Sequence, residues 1–380
     1  MAKIKFKNTP QQKALWKAVA SDNRDEAYEA QFAVAALVGP VIKKVLTQAP
    51  VISNLYEELP VSENEPQTLP IDSFADIDEQ DFYRVVGMTM AGGLPSNFDY
   101  GQDEVHFHTF VLESFVSCYK KYAKHGRLDV VAKMIQRMAN EILVKQEINL
   151  VAPILYAIAN ATTNGLKHVI RSSTAGSVVL NDFVNMMNRA SRLRTSYVSG
   201  GSGTPDNDTS RGVTDMIGSP EFVAELRRVA FNPMNTKAGV VNGTNYAVGF
   251  PASEDVRREA YRSAGIPTFY DVNIIEAKEF GRGFKFNTLF DNFAGSTAYT
   301  QINGSGSAQF NGANEEIVVA IDRTMDSLAK PVITDAETGA DLKVLPDDQW
   351  SMRSEKVGFY GKVQMGAIVT DSRALAGLIF

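Results

Sequence analysis

The stretch "RLDVVAKMIQRMANEILVKQEINLVAPILYAIAN", residues 127–160, decides how the rest of the chain is read. Leu128, Val131, Ile135, Met138 and Ile142 recur at spacings of three and four, one apolar stripe along a helix. At 1.5 Å per residue such a helix spans on the order of 50 Å. Pro153 predicts a bend or an end. A helix this long reads as a strut rather than as a packed core element.

Immediately before it, "EVHFHTFVL" (104–112) reads as a strand. Further upstream, residues 55–104 are extended in character, with Pro60, Pro66, Pro70 and Pro95 and few helix formers. Within them "FYRVVGMTM" (82–90) alternates like a strand. Glu57, Glu58, Glu63, Glu65, Asp72, Asp76, Asp78, Glu79, Asp81, Asp99, Asp103 and Glu104 stand there against Arg84 alone. Fifty extended, acidic residues make no core and fit a projecting arm or hairpin that needs a partner surface. The first segment has the opposite charge: Lys3, Lys5, Lys7, Lys13, Lys17 and Arg24. Residues 9–20 and 24–48 read as two helices, the second kinked or broken at Gly39-Pro40. Two readings of the charge asymmetry stand: two solvated surfaces, or a basic arm that meets an acidic loop on a neighbouring copy.

Downstream, strands alternate with helices, which suggests a mixed sheet flanked by helices. Asn181 or Asp182 is positioned to cap "FVNMMNRASRLR", with Val184, Met187 and Leu193 inward. Residues 199–212 and 291–312 are Gly/Ser-rich and read as loops. "VTDMIG" is a short strand, and Ser219-Pro220-Glu221 is a helix start: hydroxyl cap, proline in the first turn, acid at the positive end. A helix over 253–265 and strands at 266–277 and 315–323 follow. The closing stretch alternates, with Val357, Phe359, Val363, Met365, Ala367 and Val369 on one face. The tail "SRALAGLIF" carries Leu375, Leu378, Ile379 and Phe380, which need cover from their own domain or from another subunit. The reading places the final strand in the sheet beside the long helix and packs the tail against that sheet or at a subunit contact.

With 380 residues the chain exceeds the roughly 250–300 at which one core stops growing, so two or more packed units are expected. A net charge of −6 argues against gripping nucleic acid by bulk charge. No run approaches the roughly 20 consecutive apolar residues of a membrane span, and the basic start has no apolar signal region. A single cysteine, Cys118, excludes an internal disulfide framework and points to a reducing compartment.

Candidate chemistry is sparse. His106 and His108, two apart on a strand, with Glu104 beside them, would serve a metal-dependent enzyme of α/β type, but no motif places a third ligand. Ser219 sits where a hydrolase nucleophile would, yet its flanks are not GxSxG and the cap explains it. "GGSGT" and "GSGSAQFNG" lack the spacing of phosphate-binding loops. Cys118 has no matched histidine, and Met186-Met187 reads as core packing. The cluster Asp76, Asp78, Glu79, Asp81 lacks the order and glycine of a calcium loop. No cofactor is expected.

In this order the parts resemble the major capsid proteins of tailed bacteriophages over nearly the whole chain. "FHTFVLESFVSCYKKYAKHGRLDVVAKMIQRMANEILVKQEINLVAPIL" is similar to a first strand and spine helix, "VTDMIGSPEFVAELRRV" to the strand and helix of the axial domain, and "WSMRSEKVGFYGKVQMGAIVTDSRAL" to the final peripheral strand. The resemblance implies an α+β fold: an N-terminal arm (1–54), an extended E-loop (55–104), a peripheral domain with spine helix and antiparallel sheet (105–162), an axial domain with a central mixed sheet and flanking helices (163–345), and a return to the peripheral domain (346–380). It implies no catalysis, but self-assembly as hexamers and pentamers into an icosahedral virion shell that encloses DNA. Assembly would take place in the bacterial cytoplasm, with portal, scaffolding and decoration proteins as further partners and no membrane. Intersubunit contact is then expected at Lys3, Lys5 and Lys7 against Asp72, Asp76, Asp78 and Asp81, with Arg84. The chain starts directly at the arm, which suggests a separate scaffolding protein or none. Some relatives join a lysine to an asparagine covalently; Lys362 and Asn292 are only two of many candidates here. An encapsulin-like compartment is the nearest alternative.

Overall fold

The computed structural model describes residues 9–48, 51–72, 102–125, 127–163, 165–172, 176–178, 180–193, 212–231, 239–241, 244–246, 268–269, 272–302, 306–325, 327–335, 341–347 and 355–380. In chain order these form α1 (Pro10–Val19), α2 (Arg24–Gln48), β1 (Glu57–Ser62), β2 (Thr68–Asp72), β3 (Gln102–His106), β4 (Thr109–Tyr119), α3 (Lys120–Lys124) and α4 (Leu128–Asn160). Next come β5 (Thr162–Thr163), β6 (Leu166–Lys167), β7 (Val169–Arg171), α5 (Leu180–Leu193), β8 (Asp215–Gly218), α6 (Pro220–Phe231), β9 (Gly239–Val241), β10 (Thr244–Tyr246), β11 (Thr268–Phe269) and β12 (Val272–Glu276). The chain ends with α7 (Lys285–Ala294), β13 (Ala298–Thr300), β14 (Ser307–Gln309), β15 (Ile317–Ile321), β16 (Leu328–Thr334), β17 (Leu342–Asp347), β18 (Lys356–Gly366), β19 (Ile368–Val369) and β20 (Leu375–Ile379). The expected strand at 82–90, the helix over 253–265 and nearly all of the loop at 199–212 lie outside the described residues.

The chain divides into two compact units. The first comprises Met1–Leu69, Val105–Val151 and Leu328–Ile368. Its sheet runs β1-β16-β18-β17, with β4 paired to β18 and β19 to β16. The pairing of β18 with β4 is antiparallel along the whole length, from Lys356 opposite Tyr119 to Gly366 opposite Thr109. Alternation decides the faces. Leu112, Val116 and Cys118 of β4 and Val357, Phe359, Val363 and Met365 of β18 point into one core. Val131, Ile135, Met138 and Ile142 of α4 fill that core from the other side, with Trp16, Val34, Val38 and Ile42 from α1 and α2. The Trp16 indole meets the Phe359 ring edge-on at 5.9 Å. At Gly361 a Cβ would come within 3.2 Å of the Met138 sulfur, so the missing side chain brings helix and sheet together.

One expectation about the helices changes: α4 is no bare strut, because Val131, Ile135, Met138 and Ile142 are core. Of the alternatives at the prolines, an end at Pro153 and a break at Pro40 are excluded, since both helices continue through them. A proline removes one backbone donor, and burial of neighbouring turns, such as Val38 and Ile42 or Leu150 and Ile154, offsets that cost. β1, read from the sequence as the start of the extended acidic segment, pairs in parallel with β16 over six residues, Glu57 opposite Ala329 to Ser62 opposite Thr334. β2 and β3, which flank residues 73–101, pair with each other.

The second unit comprises Pro70–Glu104, Ala152–Ser327 and Val369–Phe380. Its sheet runs β11-β12-β8-β15-β20-β7 and is mixed: β12 with β8 and β20 with β7 are parallel, β15 is antiparallel to both neighbours. β15 (IVVAI) and β20 (LAGLI) are buried at every position, as strands covered on both faces must be. The tail's expected place is therefore corrected. It is not a pendant on the sheet of β18 but a central strand of the other sheet, Leu378 opposite Val318 and beside Ile170. A continuous apolar run can be buried on both faces there, whereas the sheet of β18 leaves one face open.

Two more expectations are corrected in this unit. α5 begins at Leu180, so neither Asn181 nor Asp182 caps it. Its inward stripe is Phe183, Met186, Ala190 and Leu193, while Val184 is exposed. Asp182, fully buried, instead accepts a hydrogen bond from the Ser172 hydroxyl at 2.6 Å. Residues 291–312 are not one loop: they hold the end of α7 and the hairpin of β13 and β14, clamped by Phe290, which stacks on Tyr299 and meets Phe310 edge to face.

Candidate functional site

Glu104, His106 and His108 are all exposed, with Phe107 buried between the histidines. Among the described residues no three His, Cys, Asp or Glu side chains come together to hold a metal. Ser219 caps α6: its oxygen accepts from the Phe222 amide at 3.0 Å. Its hydroxyl proton goes to Glu316, a buried carboxylate that no sequence motif marks. Burial pushes Glu316 above the ordinary carboxylate range, and Arg282, 3.3 Å away, only partly offsets this. Both hydrogen-bonding roles of Ser219 are thus spent on structure. Burial likewise pushes the Cys118 thiol up to about 11, far from a reactive thiolate. Met186 is core, and Met187 is partly buried against it.

Polar side chains converge instead at the start of the acidic segment, within the first unit. Glu147 on α4 accepts the amides of Ile52 (2.9 Å) and Ser53 (3.3 Å). Gln146 donates to the Ser53 hydroxyl at 2.9 Å, and Lys330 on β16 donates to the same oxygen at 2.8 Å while pairing with Glu58 on β1. Tyr56, its pKa raised by burial, donates to the Leu150 carbonyl at 2.6 Å. The Lys330 side chain is only 4% exposed, and a buried ammonium is tolerable only when so paired. At roughly 1 kcal/mol net per bond, the network anchors the entry to β1 on α4 and β16.

The other face of the first unit's sheet is unusual in composition. Phe115 is 62% exposed, with Tyr119, Leu345 and Val111 also exposed. Register aligns Phe115 with Tyr360 and Tyr360 with Leu345, one aromatic and apolar row across three strands. The Lys356 and Lys121 ammonium groups lie 5.3 and 5.4 Å from the Tyr119 ring centre. Burial, then the hydrogen bond and charge of Glu113, push the Tyr360 phenol up to about 12. An open groove of about 660 Å³ adjoins it, lined by Glu113, Val144 and charged residues of α4. There the hydrogen bonds from Arg137 and then Ser114 hold Glu141 below the ordinary carboxylate range. Singly exposed apolar residues are common on proteins, whereas these stand in one row.

Asp72 closes β2, but its side chain, like Lys3, Lys5, Lys7, Asp76, Asp78, Asp81 and Arg84, lies outside the described residues. Lys362 stands on β18, opposite Glu113, and Asn292 on α7.

No protein-family model matches the chain, and no curated protein sequence does. Solved structures are similar. The capsid of the Cyanophage P-SCSP1u is 13% identical over 87% of this chain and 88% of that chain, with a TM-score of 0.50. The capsid of a native GTA particle is 12% identical over 87% and 89%, with a TM-score of 0.48. The SrpI encapsulin of Synechococcus elongatus is 11% identical over 86% and 85%, with a TM-score of 0.45.

Proposed function

The chain has the major capsid fold of tailed bacteriophages, which encapsulins share, and we propose that it is a shell protein. In this reading it is a major capsid protein whose copies assemble as hexamers and pentamers into an icosahedral head that encloses a phage genome. The observation that supports this most directly is the aromatic row Phe115, Tyr360 and Leu345 on the open sheet face, which a neighbouring copy would cover. Several contacts of roughly 1,000–2,000 Å² per copy close a shell without any single tight one.

Charge steers register in this scheme. Lys3, Lys5 and Lys7 of one copy meet Asp72, Asp76, Asp78 and Asp81 of the next, with Arg84 among them. The same net charge of −6 suits a wall that contains DNA without gripping it. The work is structural rather than catalytic, and its place is the virion, after assembly in the host cytoplasm with portal, scaffolding and decoration proteins as further partners. Electron microscopy of the expressed chain tests the reading: closed shells are expected, and a chain that stays monomeric under all assembly conditions overturns it. Particle contents separate a phage head from a compartment of encapsulin type, DNA in the first and enzyme in the second.

A further inference from the structure

α2 shows a second uncovered surface. Tyr28, Phe32 and Leu37 are 44%, 42% and 40% exposed, and the Tyr28 and Phe32 rings pack edge to face at 4.7 Å on the helix exterior. Between Tyr28 and Pro40 the exposed side chains are apolar except for Glu29. The opposite side of the same helix is core, with Val34, Val38 and Ile42. An amphipathic helix should show water a charged face there, so this one has an apolar stripe on both sides.

The ends of the exposed stripe carry opposite charge. Asp25 and Glu26 lie in the first turn, Lys43 and Lys44 near the other end, all four exposed. Asp25 and Lys43 are eighteen residues apart, as are Glu26 and Lys44, which is about five turns, so each acid and its lysine share one column of the helix surface. Both columns have their midpoint beside Val34 and Ala35.

We propose that this face of α2 docks antiparallel on the same face of a second copy, across a two-fold axis beside residues 34–35. A two-fold there sets Asp25 opposite the partner's Lys43 and Glu26 opposite the partner's Lys44, each pair occurring twice. It also brings the two Phe32 rings to the same side of the contact. A parallel arrangement would set acid on acid and lysine on lysine, so charge selects the orientation. Lys43 already touches Asp341 at 2.9 Å and Glu26 accepts from Ser21, and both remain open enough to take a second partner. One helix face is smaller than the roughly 800 Å² per partner of a standard interface, so this contact is transient between free copies, where a cross-link can trap it, and is held only within a shell. In that respect it rests on the shell reading.

The test is a charge exchange at the pair without Asp341. Glu26→Lys and Lys44→Glu are made separately, and each is checked for a wild-type circular dichroism spectrum. Each alone should lose shell yield at least tenfold, and an equimolar mixture should restore it, because the two variants then face each other with complementary charge. Wild-type assembly of either variant alone, or a mixture no better than its parts, overturns the contact while leaving the shell reading intact. If the wild type forms no shell, the shell reading fails and the contact is read by cross-linking instead. Ala33→Cys with Ala36→Cys places thiols across the proposed axis, and oxidation of concentrated protein should give a covalent dimer; no dimer overturns the contact.

Discussion

β18 and β20 stand a few residues apart in the same C-terminal stretch, yet they obey different rules. β18 alternates, with Val357, Phe359, Val363 and Met365 in and Tyr360, Lys362 and Gln364 out, because between β4 and β17 its outer face is open. β20 is buried at all five positions because it lies between β15 and β7 with cover on both faces. The same stretch thus supplies one strand to each unit. The difference teaches that an apolar tail after an alternating strand is a switch of sheet, not a loose end. Deleting residues 372–380 gives the largest expected effect. It removes Leu375, Leu378, Ile379 and Phe380, each at most 3% exposed. Truncating one such side chain costs roughly 2–5 kcal/mol, so losing four costs about 8–20 kcal/mol, comparable to or greater than the roughly 5–15 kcal/mol by which domains are stable. Insoluble protein is expected, and a soluble deletion that keeps near-ultraviolet circular dichroism would show the tail to be dispensable.

The two faces of the first unit's sheet offer the next contrast. Phe359 is 1% exposed against Trp16, and Phe359→Ala should cost about 3–5 kcal/mol. Phe115, on the outer face, should cost within about 0.5 kcal/mol as Phe115→Ser but lower shell yield. Equal destabilisation by the two variants in urea titrations would mean that the outer face is covered within the chain. Smaller still is a pair of glycine substitutions. A Cβ at Gly377 meets Val169 at 3.0 Å and Ile158 and Ile317 at 3.2 Å, stiff branched side chains, whereas at Gly361 it meets flexible Met138. Gly377→Ala should cost on the order of 1–3 kcal/mol, and Gly361→Ala should cost less. Hydrogen exchange reports each unit by itself, and the reverse order would show that the tighter sheet is the first one.

The comparison also marks what was readable in advance. α1, α2, α4 and β18 announce themselves by period or cap, and β8 and β15 as short apolar runs. Ser219 followed by proline gives its helix start without ambiguity, and the structure shows the capping bond. β16, β17 and β20 hide because strands buried on both faces, or broken by Pro331 and Pro346, carry no alternation. α5 slipped by one position because Val184 and Met187 fit the spacing as well as Phe183 and Met186 do, and only packing decides between them. The surfaces are the least legible part. Phe115 and Tyr360 become one row only through the register of β4 and β18, and Lys330 finds Ser53 only when β1 lies beside β16.

The smallest effect separates the units by pH. His168, fully buried in the second unit, has Nδ1 3.0 Å from the Leu375 carbonyl and Nε2 2.8 Å from the Thr163 hydroxyl. A carbonyl only accepts, so the neutral ring carries its proton on Nδ1 and accepts from Thr163 at Nε2. Burial holds its pKa below the ordinary 6.5, outweighing the hydrogen bonds and Asp371 that favour the charged form. As pH falls through 6.5 the unfolded chain binds a proton before the folded one does. Stability present above 6.5 is therefore lost toward the lower folded value, by at most about 1.4 kcal/mol per pH unit. Glu316, raised by burial, acts in the other sense and costs stability as pH rises past the ordinary carboxylate range. The wild-type curve mixes the two, so the measurement is a difference. His168→Gln removes only the histidine's share, and its melting temperature should fall less than the wild type's between pH 6.5 and 5. The same slope in both proteins would assign the acid sensitivity of β20's anchorage to another group.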